Sequence, residues 1–93
     1  MAQALDPPEV RRIVRRVLDA GYVTFTEHAA TEMTKDRLEA SDCLNVLRAG
    51  AVETNGLVGD HWRYTVETNR IALIVVLRSE TEVVVITAWR KER

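Results

Sequence analysis

The chain has 93 residues, 46% hydrophobic and 29% charged, with a formal net charge of −1 at neutral pH. That length supports one domain with a small core, and the balance of apolar to charged residues is globular rather than disordered. A net charge this close to zero excludes avid, non-specific nucleic-acid binding over a broad basic surface, but not a local basic patch.

The longest apolar run, Ile71 to Leu77, is far too short to cross a bilayer. The opening MAQALDPPEV lacks the pattern of a secretory signal. Cys43 is alone, so it has no internal disulfide partner. Together these features make the cytoplasm the expected location.

Asp6 is placed to cap a first helix, with Pro7 and Pro8 in its first turn and Glu9 near its positive end. Val10, Ile13, Val14, Val17 and Leu18 then recur at helical spacing, and Gly21 is a stop. Arg11, Arg12, Arg15 and Arg16 fill the other face, which reads first as a solvated surface and second as a partner surface. Tyr22 to Phe25 is short and β-prone. Thr26 is the expected cap of a helix over 27–37 with Ala29, Ala30 and Met33 inward. Ser41 is the expected cap of a helix over 42–49, packed through Cys43, Leu44 and Leu47 and ended by Gly50.

After Gly50 the apolar period falls from about 3.6 to about 2. Asn55-Gly56 and Gly59-Asp60 are turn signals. HWRYTVE over 61–67 alternates, with Trp62, Tyr64 and Val66 on one face and His61, Arg63 and Thr65 on the other. Thr68-Asn69 makes a tight connection to RIALIVVL over 70–77, which is apolar on both faces and suits a central strand. Ser79-Glu80 turns the chain into a last strand over 82–89. The expected architecture is a single α+β domain over 1–93, with N-terminal helices packed on one face of a three- to four-stranded antiparallel sheet.

The last strand runs straight into Arg90, Lys91 and Arg93. In an antiparallel meander the end of that strand, the start of 70–77 and the end of 61–67 share one edge of the sheet. Arg70 and Arg90 are therefore expected to approach each other, with Arg63 about two strand pairs inward on the open face. An anion such as a phosphodiester would hold three guanidiniums together; the alternative is three arginines extending separately into water. His28, in the first turn after the Thr26 cap, is a candidate general base; it also reads as a structural histidine, or as a metal ligand with Glu32 one turn on. Metal-free RNA cleavage needs a base for the 2′-hydroxyl, cations for the phosphorane and an acid for the leaving oxygen. His28, Arg63, Arg70 and Arg90 are candidates for those roles, without a cofactor or metal.

From Val10 onward the segments TFTEHAATEM, LRAGAVE, WRYTVE, RIALIVVL and VVVITAWRK resemble the RelE superfamily of small bacterial toxins, and within it the MqsR-like toxins. The resemblance implies a RelE-like microbial-ribonuclease fold and an endoribonuclease acting on mRNA, free or on the ribosome. It also implies a cognate antitoxin, for which a zinc-binding protein with a helix-turn-helix domain is the expected kind. His28 matches the family's histidine, Arg37 the arginine that closes that segment, Arg63 the strand arginine, and Arg90 with Lys91 the basic end of the last strand. Arg70 stands where the MqsR-like pattern has a tyrosine. Arg37, Lys91 and Trp89 are expected RNA contacts, Trp89 by stacking a base or else as part of the core. The same fold used as a non-catalytic protein-binding module is the rival expectation.

Overall fold

The computed structural model describes residues 3–91; Arg93 lies outside them. Helix α1 spans Pro7–Ala20, β1 Tyr22–Phe25, α2 Glu27–Lys35 and α3 Ala40–Ala49. Strands β2 Ala51–Val58, β3 His61–Glu67, β4 Ile71–Ser79 and β5 Glu82–Arg90 follow.

Asp6 precedes α1 in an extended conformation and makes no side-chain cap bond, so the two prolines after it set the first turn. Val10, Ile13, Val14 and Val17 are buried and all four α1 arginines are exposed. At Gly21 the helix end passes close to the β4–β5 turn. A Cβ there would lie 2.3 Å from the Thr81 carbonyl oxygen. Tyr22 N–H donates to that same oxygen at 2.8 Å and starts β1. Thr26 caps α2 by accepting from Ala29 N–H at 3.0 Å, and its hydroxyl donates to the Ile86 carbonyl at 3.1 Å, fastening the helix start to β5.

Helix α3 begins earlier than the Ser41 cap suggested. Glu39 is the N-cap, and its N–H donates to the Asp42 carboxylate at 2.8 Å in a reciprocal capping box.

The fold is α+β, but the sheet has five strands and is mixed, in the order β1-β5-β4-β3-β2. This corrects the expected three- to four-stranded antiparallel sheet in two ways. First, Tyr22–Phe25 pairs parallel to β5, in register Tyr22↔Glu82 to Phe25↔Val85. Second, Ala51–Val58 is a strand. Asn55-Gly56 is a bulge within it rather than a turn, with the register shifting between Thr54 and Gly56 and Gly56 at φ 150. Gly59-Asp60 does make the hairpin, Gly59 at φ 62.

The apolar strand over 71–79 takes the central place, flanked by β3 and β5. Tyr64, Val66, Leu73, Val75, Val83, Val85 and Ala88 face the helices and join Val10, Val14, Ala29, Cys43 and Leu47 in one core. The register puts Arg63, Thr65, Ile74, Val76, Val84 and Thr87 on the opposite face, each partly exposed. None of the described helices is long and apolar enough to cross a membrane.

Candidate functional site

On that open face a cleft of about 260 Å³ is lined by Val58, His61, Arg63, Val76, Arg78, Val84 and Ile86. Two backbone irregularities shape it. Val75 pairs with Val85 and Ile74 with Thr87, so Ile86 is an extra residue in β5; a second shift lies between Leu77 and Ser79, at Arg78. Bulges re-aim side chains in this way.

Arg63 is half-buried mid-strand and makes no ion pair among the described residues. Arg78 is held loosely by Glu82 at 3.8 Å, with two thirds of its side chain exposed. His61 is exposed at the strand start beside the hairpin. The cleft thus combines one imidazole and two guanidiniums over an apolar floor. Its volume lies just under the about 300–1,000 Å³ of enclosed small-molecule pockets.

The sequence pointed to Arg63 but passed over His61 and Arg78. His61 shares its strand face with Arg63, a signal present in the alternation of HWRYTVE. No pattern marks Arg78, because its place depends on a register shift.

A second cleft, of about 290 Å³, is lined by Asn69, Arg70, Arg90 and Lys91 at the β3–β4 turn. Arg70 and Arg90 both line it. Arg63 does not join them. Its partner across the strands is Val76, whereas Arg90 pairs with Ile71. Five residues of strand separate those positions, about 16 Å. Arg90 also leaves the sheet on the helix side. Its Nε donates to the Asp36 carbonyl at 2.9 Å, its Nη2 donates to the Arg37 carbonyl at 3.2 Å, and its backbone N–H donates to the Asp36 carboxylate at 2.7 Å. A cation on the carbonyls just past the end of α2 also meets the negative end of the helix. Lys91 donates to Glu67 at 2.8 Å and to the Thr68 carbonyl at 3.0 Å.

The remaining sequence candidates are dispersed. Arg37 follows α2 in the left-handed region at φ 57, exposed. His28 is exposed at the start of α2 and lines neither cleft. Glu32 accepts from Lys35 at 3.1 Å. Among the described residues no group of three or more His, Cys, Asp or Glu side chains is arranged to hold a metal. Trp89, cross-strand from Ala72 on the open face, is 37% exposed, so it lies outside the core and keeps a surface on which a base could stack. Cys43 is fully buried, and that burial, with the Asp42 carboxylate adding to it, pushes its thiol up to about 11, where it is no nucleophile.

Compared with known proteins, the chain matches no family model, no curated protein and no solved structure.

Proposed function

We propose that this chain is a RelE-like toxin of a type II toxin–antitoxin module, a metal-independent endoribonuclease acting on mRNA in the cytoplasm. The observation that supports this most is the open-face cleft lined by His61, Arg63 and Arg78 together. In this reading His61 takes the proton of a 2′-hydroxyl as its oxygen attacks phosphorus. The P–O5′ bond breaks, and the imidazolium returns the proton to the leaving oxygen, giving a 2′,3′-cyclic phosphate and a 5′-hydroxyl. Arg63 and Arg78 neutralise the phosphorane as charge develops on it. Val76, Val84 and Ile86 offer an apolar surface to the adjoining sugar and base.

The test is primer extension on cellular mRNA after brief induction, wild type beside Arg63→Ala and His61→Ala. New ends should appear with wild type. They should fall by about 10²–10³-fold without Arg63 and about 10²–10⁴-fold without His61. Absence of new ends from a folded, abundant wild-type protein would end the nuclease assignment.

A non-catalytic protein-binding module is the second reading. It is favoured by the apolar surface exposed on the same face, Tyr22 at 71%, Val58 at 53% and Trp89 at 37%. A partner retained by the His61→Ala protein, with no cleavage by wild type, would establish that role instead.

A further inference from the structure

The helix side of the molecule carries a second cationic surface that the open-face cleft does not use. From Arg11 to Asp19 every exposed residue of α1 is charged: four arginines, then Asp19. The opposite stripe of that helix, Val10, Ile13, Val14 and Val17, is locked in the core, so the arginines stand on its solvent side. They form two like-charged pairs one turn apart, Arg11 with Arg15 and Arg12 with Arg16. Like charges at this spacing weaken a helix.

Intramolecular pairing relieves only half of this. Arg12 is bound by Glu9, and Arg16 reaches Glu80 at 3.3 Å with both side chains largely exposed. Arg11 and Arg15 have no carboxylate partner within ion-pair distance among the described residues. A fifth arginine extends the surface across to α3: Arg48 lines a groove of about 270 Å³ with Arg15, Leu18 and Asp19.

We propose that this ridge, centred on Arg11, Arg15 and Arg48, binds the phosphodiester backbone of a nucleic acid without reading its bases. Four helical residues advance the ridge by about 6 Å, placing one guanidinium per turn in a row that a strand of phosphates can follow. The ridge lacks what other polyanionic partners need. A membrane surface takes an amphipathic helix through its apolar face, and that face of α1 is buried in the protein's own core. A protein partner is anchored by large apolar or aromatic side chains at the centre of its interface. The exposed large apolar residues here are Tyr22, Leu57, Val58 and Trp89, none of them on α1. Backbone binding to nucleic acid draws its affinity from cations and needs no apolar anchor.

The experiment is fluorescence anisotropy with a short labelled single-stranded RNA, repeated with DNA of the same sequence and with the duplexes, from about 50 to 200 mM salt. Wild type is compared with Arg11→Gln/Arg15→Gln, which keeps helix propensity, and with Arg15→Gln/Arg48→Gln, which spans both helices. Each double variant should lower the slope of log affinity against log salt by about 1.4 on single strands, two contacts at about 0.7 each. The loss should be equal for every base sequence. RNA affected more than DNA would mark 2′-hydroxyl contacts beside the ridge; equal losses would mark the phosphates alone.

Wild type that binds no nucleic acid overturns the proposal. So do slopes unchanged in both double variants, or a loss seen only with Arg63→Gln on the open face. A polyglutamate peptide or anionic vesicles bound as tightly as RNA through the same arginines would reduce the ridge to generic anion attraction, and overturn it too. Because the readout is binding, these outcomes are independent of whether the open-face cleft cleaves RNA.

Discussion

Arg90 separates a structural from a catalytic role by a direct measurement. The resemblance implies a phosphate-binding role for it; in the structure it ties the end of β5 to the end of α2. In Arg90→Ala the two side-chain bonds to the Asp36 and Arg37 carbonyls are lost. Each is a charge-assisted bond on an exposed side chain, so the lower end of the usual about 0.5–1.5 kcal/mol applies. Loss of the cation at the helix C-terminus adds about 0.3–1 kcal/mol. The expected total is about 1–2 kcal/mol.

In a domain of this length about 1 kcal/mol moves Tm by about 4–8 °C, so Arg90→Ala should unfold roughly 5–15 °C earlier by circular dichroism. Arg90→Lys keeps the charge but not the fork geometry, and should recover less than half of the loss. On the proposed nuclease function, any RNA cleavage per folded molecule should stay at the wild-type level, because Arg90 stands about 16 Å along the sheet from the level of Arg63 and on the other face. An unchanged Tm together with lost cleavage would refute this reasoning and place Arg90 in the chemistry.

Gly21→Ala puts a Cβ 2.3 Å from the Thr81 carbonyl oxygen, forcing α1 away from the β4–β5 turn; a loss of about 1–3 kcal/mol should appear as a lower urea midpoint with little change in slope. Leu73→Ala, in the central strand and fully buried, should cost about 2–5 kcal/mol, a large part of the stability of a small domain, again read by urea titration. Cys43 should resist a thiol reagent at pH 8 in the native protein and react at once in urea. Burial holds its folded pKa at about 11, above the ordinary thiol value of 9.0, so its contribution is complete below pH 9 and lost as pH rises towards 11. The ceiling on that loss is about 3 kcal/mol, and Cys43→Ala should lack this part of the alkaline decline.

Local patterns carried most of the elements. The α1 stripe, the Thr26 cap, the alternation in HWRYTVE and the doubly apolar β4 each state their structure within a few residues, because capping and burial periodicity are local physics. Two readings failed where the outcome was not local. Asn55-Gly56 carries the same dipeptide whether it closes a hairpin or bulges a strand; the register against β3 made it a bulge. Tyr22–Phe25 states that it is β-prone, but not that its partner is β5, sixty residues on and parallel.

The site divides along the same line. Alternation within one strand put Arg63 on the open face and His61 beside it. Pairing between strands decided everything that joins separate elements. It brought Arg78 into the cleft through a register shift, set Arg90 against α2 and left His28 outside both clefts. Residue type and period determine which way a side chain points from its own element. Only long-range pairing and packing decide what it meets there, because those contacts depend on segments far apart in the chain.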